Sequence, residues 1–265
     1  MEFQNIFQRY EMKYLMTKQQ QRELYGLMLP YMQPDRFGRS TILTIYYDMP
    51  DKRLIRKSLE GPCYKEKLRV RSYGTAKADS TVFVELKKKY KGVVYKRRLD
   101  MNERTAANYL NDGMRLTNPT QISKEIDYFM SFYGRLEPSV FLSYEREAFM
   151  GKEDANFRMT FDRNILMRTY DMDLTKGVYG EPLLKDDMVL LEVKTAYGIP
   201  AWLLTFLSGR QIYKTSFSKY GYAYQKFMLP AYLKQKQLAE TEINGADRER
   251  RPVRAKENGG TKDVA

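Results

Sequence analysis

Lys and Arg recur at alternate positions, beside one or two carboxylates, in five short runs of the chain. These are Arg9, Glu11 and Lys13; Lys67, Arg69 and Arg71; Glu85 and Lys87; Lys96 and Arg98; and Glu192 and Lys194. Apolar residues interleave with them: Leu68 and Val70, then Val82, Val84 and Leu86, then Val189, Leu191 and Val193. Successive strand side chains point to opposite faces, so each run read as a strand has one apolar face and one row of fixed charges. Charges on one face recur about every 6.6 Å, the scale of a triphosphate. Guanidinium forks and ammonium groups suit phosphate oxygens. A few carboxylates beside them suit a hard divalent ion, Mn²⁺ or Mg²⁺, that shares its coordination with phosphate. A solvated sheet face normally mixes small polar groups and both signs, because like charges opposite one another destabilise a sheet. Rows this basic ask for an anion.

The elements that must position these rows follow from the pattern between them. Thr17 predicts a helix cap, with Leu24, Leu27, Met28 and Tyr31 at helical spacing up to about Met32 and Pro34 closing the segment. Thr41–Asp48 and Leu54–Leu59 read as strands around Met49, Pro50 and Asp51. Lys65–Tyr73 and Thr81–Lys88 are further strands, the second leading through Lys91-Gly92 into VVYKRRLDM as a hairpin. Helices are expected over Asn102–Arg115 and Ser123–Tyr133, then strands over Val140–Phe149, Phe157–Phe161 and Met188–Thr195. Pro200 opens a helix carrying Trp202, Leu203, Phe206 and Leu207, and Ser218 caps a last helix to about Leu233. This is an α+β class of mainly antiparallel strands, about eight of which could close a barrel. The expected division is one domain over 1–233 and a polar, unstructured tail over 234–265.

Composition narrows the chemistry. The 265 residues carry a net charge of +13 and no His. The last 32 residues hold 8 basic and 6 acidic groups, so the excess belongs to residues 1–233 and favours polyanionic partners. Without imidazole there is no His-dependent triad and no His zinc ligand. The single Cys63 excludes an internal disulfide and a cysteine metal cluster, and fits a reducing, cytoplasmic setting. No stretch approaches the roughly 18 apolar residues of a membrane helix, and no Walker or Rossmann glycine loop occurs.

The ordered set RYEMKY (9–14), TIYYD (44–48), KLRVRSYG (67–74), VFVELKKK (82–89), VYKRR (94–98), YEREAF (144–149), FRMTFD (157–162), LLEVK (190–194) and FSKY (217–220) resembles the VTC domain of polyphosphate polymerases, over roughly residues 1–230. That family belongs to the triphosphate tunnel metalloenzymes, relatives of CYTH-type triphosphatases. The resemblance implies an eight-stranded antiparallel barrel, helices outside, with the charged face turned into a tunnel. It implies that Lys13, Arg69, Arg71, Lys87, Arg146, Arg158 and Lys219 act on the transferred phosphates. Lys67, Lys96, Arg98, Lys194 and Lys214 would bind further substrate, and Glu192, with Glu85 and Glu11 nearby, would hold Mn²⁺ or Mg²⁺. Parity in YEREAF lets Arg146 point inward while Glu145 and Glu147 point out, and joins Arg158, Thr160 and Asp162 in FRMTFD.

The implied partners are ATP and inorganic polyphosphate, with a separate membrane protein as a further partner and no nucleic acid. One departure bears on mechanism: hydrolase relatives show an ExExK pair where this chain has Arg9 and a single Glu11, which favours transfer over hydrolysis. The membrane segment and SPX domain that accompany the eukaryotic polymerase are not found among these 265 residues, so coupling to translocation is not expected of this stretch. Two other readings stay open: a tunnel triphosphatase, and a non-catalytic polyanion-binding module.

Overall fold

The computed structural model describes residues 10–91 and 93–238. Arg9 and most of the expected tail lie outside them. The chain divides into two units, Met1–Ala223 and Tyr224–Ala265. The described part of the second is a π-helical turn, Tyr224–Met228, then α-helix over 229–238. The segment from Lys234, expected to be unstructured, therefore starts as helix.

The first unit holds eight strands of eight residues or more: β1 (Tyr10–Thr17), β2 (Met32–Asp48), β3 (Tyr64–Tyr73), β4 (Thr81–Tyr90), β5 (Val93–Asn102), β6 (Glu137–Gly151), β7 (Arg158–Arg168) and β9 (Met188–Thr195). Two strands of two residues, β8 (Glu181–Pro182) and β10 (Lys214–Thr215), bring the total to ten. All pairings are antiparallel. The order is β10-β1-β9-β7-β6-β2-β3-β4-β5, with β8 beside β7. The expectation of a closed eight-stranded barrel is corrected here, because the sheet ends at β5 on one side and β10 on the other. A two-residue strand cannot supply a hydrogen-bonded ladder to a ten-residue one. The sheet nonetheless curls far round, since Lys87 on β4 reaches Glu11 on β1 at 3.8 Å.

Helices α1 (Lys18–Met28), α2 (Arg53–Leu59), α3 (Glu103–Asn111), α4 (Gln121–Tyr133), α5 (Ala201–Gly209) and α6 (Lys219–Ala223) complete the unit. Thr17 and Gln20 form a capping box on α1, and Asn102 and Thr120 cap α3 and α4 through their side chains. The apolar strand faces turn outward against these helices. One cluster joins Ile45, Leu68, Val84, Leu86 and Phe141 to Tyr109, Ile126 and Phe129 of α3 and α4. The other joins Tyr14, Met16, Phe161, Val189 and Leu191 to Leu24, Met28, Leu203 and Leu207 of α1 and α5. With its hydrophobic layers outside the curl, the sheet leaves its charged parity facing in.

Leu54–Leu59 is helix rather than the expected strand. The cause lies upstream: the buried Asp48 carboxylate accepts from the amides of Met49 (2.8 Å), Leu54 (2.9 Å) and Ile55 (3.0 Å), satisfying N-terminal donors of α2. The alternating pattern then works as a helical stripe, with Leu54, Ile55 and Ser58 buried. The predicted α1 likewise stops at Met28, and β2 starts at Met32.

Candidate active site

The inward parity lines one cavity of about 1080 Å³. Among the described residues, twelve cationic side chains reach it, among them Lys13, Lys67, Arg69, Arg71, Lys87, Lys96, Arg146, Lys194, Lys214 and Lys219, against two carboxylates, Glu11 and Glu192. Lys89 and Lys91 complete the cationic set. Most of the residues expected in the site are thus brought together from β1, β3, β4, β5, β6, β9, β10 and α6. Three are not among its lining: Arg98, Arg158 and Glu85.

Local charge explains each of the three. Glu85, fully buried on β4, is held by Arg69 (2.7 Å), Lys96 (2.5 Å) and Arg98 (2.6 Å). Burial would raise its pKa, but these cations, with Arg71, hold it below the ordinary range. It meets three protein cations from behind the lining, so its place is that of a counter-ion to the β3–β5 basic rows. Arg98, bound to it, also lies over the Phe83 ring at 4.6 Å. Arg158 faces Lys194 across the β7–β9 ladder and instead donates to Asp35 on β2 at 2.8 Å.

The centre of the cavity is a second ionic cluster. Lys13 and Glu192 are register partners on β1 and β9, and Lys13 Nζ lies 3.4 Å from Glu11 and 3.6 Å from Glu192. Arg146 on β6 makes a two-pronged pair with Asp162 on β7 (2.6 and 2.7 Å) and reaches Glu192 at 3.3 Å. Lys219, at the start of α6, lies 2.5 Å from Asp162 and 3.4 Å from Glu192. Burial would raise the Glu192 pKa, yet Lys219, Arg146 and Lys13 hold it well below the usual carboxylate range. Glu11 is lowered too: burial and Glu192 raise it, while Lys87 and Lys13 prevail. Both are ionised acceptors.

A metal of the expected kind would need hard oxygen donors. Glu11 and Glu192 supply two that meet at one ammonium. Directly across the ladder from Glu192 stands Thr160, whose buried Oγ1 has no partner among the described residues. Among those residues no group of three or more acidic, His or Cys side chains converges. The donor set therefore fits an ion held by two carboxylates and completed by phosphate oxygens, the usual manner of Mg²⁺, and not a closed all-protein cage.

Sequence reasoning missed cavity residues of a different kind, among them Tyr46, Tyr144, Ser218 and Tyr197. Tyr46 and Tyr144 share the inward parity of β2 and β6, and that parity was legible in TIYYD and YEREAF. Tyr46 accepts from Arg69 at 2.9 Å. Tyr144 accepts from Arg71 at 3.1 Å and lies under Arg146 and Lys219. Ser218, expected only as a helix cap, also accepts from Lys67 Nζ at 3.2 Å. Tyr197 gave no signal, since it stands in the bend after β9.

Three groups of the cavity sit near their titration points. Burial lowers Lys67 to about 8, helped by Lys13, Lys65 and Lys87 and opposed by Tyr46. Burial lowers Lys96 to about 8 against the pull of Glu85. Burial would raise Tyr46, but Arg69, Lys67 and Arg71 bring it to about 7. An anion favours protonated lysine and neutral phenol, so its affinity is full below these pKa values and is lost as pH rises through them. Tripolyphosphate affinity measured by calorimetry is expected to fall at least about tenfold between roughly pH 6.5 and 9 at constant ionic strength. A flat profile would show that these groups do not face the anion.

A curled antiparallel sheet with its basic face inward, enclosing an elongated cavity, is the architecture of tunnel-fold proteins. Among solved structures, the chain is similar to a candidate adenylyl cyclase from Hippeastrum described as having a dominant triphosphatase activity, with TM-score 0.50 and 13% identity, covering 80% of this chain and 93% of that one. A candidate adenylate cyclase from Bacillus halodurans gives TM-score 0.49 and 13% identity, over 82% and 95%. At 13% identity the likeness to the Hippeastrum protein is one of fold. Comparison with curated proteins finds no match. Residues 8–228 match the family model of the VTC domain. The chain belongs to the VTC domain family.

Proposed function

We propose that this domain is a polyphosphate polymerase, transferring the γ-phosphoryl group of ATP to the end of a growing inorganic polyphosphate. The observation that carries the reading is the cavity lining, among the described residues twelve cations against two carboxylates, with Glu85 and Asp162 behind them as counter-ions, which still leaves more positive charge than one triphosphate needs and suits a long chain of phosphates.

The chemistry asks for position and charge more than for a covalent nucleophile. The terminal oxygen of the chain, already ionised, attacks the γ-phosphorus in line; the bond from γ-phosphorus to the bridging oxygen breaks, and ADP leaves. Arg146, oriented by Asp162, and Lys219 and Lys13, anchored at Glu192, offset the charge on the transferred group. Lys67, Lys87, Arg69 and Arg71 line the path of the chain, and the buried Arg71 Nε has no protein partner among the described residues. Glu11 and Glu192 would hold Mn²⁺ or Mg²⁺, which when bound neutralises phosphate oxygens and stabilises the leaving group. Cys63, free and exposed, accords with a cytoplasmic setting. Among the described residues no helix is long and apolar enough to cross a membrane. We leave the separate membrane protein as a proposed partner.

Incubation of the protein with ATP and Mn²⁺, with and without a short polyphosphate primer, tests the reading. Long chains on a gel with stoichiometric ADP are expected. Free phosphate without chains would make the domain a triphosphatase, and binding without turnover would make it a polyanion-binding module.

A further inference from the structure

The cavity is chemically uneven along its length. Around Lys13, Glu192, Arg146 and Lys219 its walls are ionic, but its lining also includes Tyr10, Val93, Val94, Tyr197, Gly198 and Ile199. Tyr10, Tyr197, Gly198 and Ile199 lie at one end, since Tyr10 is the register partner of Thr195, two residues before Tyr197. Tyr10 and Tyr197 are 54% and 76% exposed. Exposed tyrosine at a basic opening gains nothing from inorganic phosphate, which offers nothing to stack or desolvate. A nucleotide offers both a polyanion and a flat apolar ring. From the Lys13–Glu192 pair to the Tyr10–Thr195 pair is three residues, about 10 Å of strand, which leaves room for phosphates between the ionic centre and the rim.

We infer that this rim is a nucleobase subsite, in which Tyr197, with Ile199 and Tyr10 at the same end, stacks the base of a nucleoside triphosphate whose phosphates point inward. The subsite rests on the reading of the cavity as a triphosphate site. Its chemistry sets its selectivity. Among the described residues, Tyr10, Tyr197 and Ile199 offer this end ring and apolar faces and no amide or carboxylate side chain, so the base is held by its face. ATP, GTP, CTP and UTP therefore all bind, with purines ahead by their larger surface.

The test compares two ligands on two variants, by equilibrium binding at fixed Mg²⁺, so that it requires no turnover. Tyr197→Ala is expected to weaken ATP about tenfold, the usual worth of one stacked base, and GTP and UTP in the same direction. It should leave tripolyphosphate within about twofold. Tyr128→Ala, which removes an equally exposed ring from α4, should change neither. Loss of both ligands together in Tyr197→Ala, or of neither, overturns the subsite, as does a preference for one nucleotide above about thirtyfold. If no chains form while the base dependence persists, the polymerase reading fails and this inference stands. If a Tyr197→Ala protein forms chains and its ATP affinity is unchanged, the polymerase reading stands and the subsite is lost.

Discussion

Lys219→Met is expected to lower phosphoryl transfer by about a thousandfold or more, because it removes the cation that is tied at once to Asp162 and Glu192 and lies 4.4 Å from the Tyr144 ring. The same change leaves a buried carboxylate with one partner fewer. Removing one member of a buried pair costs about 3–5 kcal/mol, here reduced because Arg146 still holds Asp162 through two bonds. Lost activity and lost stability can be separated. Pairing Lys219→Met with Asp162→Asn removes the stranded charge, and denaturant unfolding should recover most of the stability while transfer stays lost. If the double variant regains both, Lys219 acts through the fold alone and has no place in the chemistry.

Glu192→Gln should move binding and catalysis in opposite directions. The glutamate is one of two carboxylates in a basic cavity, and its neutral isostere leaves Lys13, Arg146 and Lys219 free to meet phosphate. Tripolyphosphate binding measured without divalent metal is therefore expected to tighten several-fold. Transfer should fall about a hundredfold to a thousandfold, and the Mn²⁺ concentration for half-maximal rate should rise, because one of two carboxylate donors is gone. Full activity at unchanged Mn²⁺ demand would remove Glu192 from the metal site. Weaker anion binding without metal would show that the cluster is held open by Glu192 and collapses without it.

The strands were legible wherever alternation ran for about five residues or more, because the period of two assigns every side chain to a face once one is known. Which face turns inward was not legible from Leu68 and Val70 against Lys67 and Arg69; it came from resemblance, and physically it is decided by α3 and α4 covering the apolar side. Parity could place Arg146 and Asp162 on one face, and they meet there. It could not place Arg158, whose side chain is drawn aside to Asp35, a residue 123 positions away. Glu85 and Glu192 look alike as lone acids between apolar neighbours. Each meets three cations, and what separates them is that Glu192 and its three cations line the cavity while Glu85 and Arg98 lie outside the lining. The α2 helix was hidden for a similar reason, since its N-terminal amides are satisfied by Asp48 from outside the segment.

The inverted layering, hydrophobic clusters outside and charge within, means that folding gathers like charges that the unfolded chain keeps apart. Any anion that enters the cavity relieves that repulsion and binds the native state alone, adding RT ln(1 + [L]/Kd) to its stability. The folded population of this domain is therefore partly a property of its medium: phosphate and other anions that fit the cavity act on it as folding ligands, and on the polymerase reading the growing chain would steady the protein that makes it.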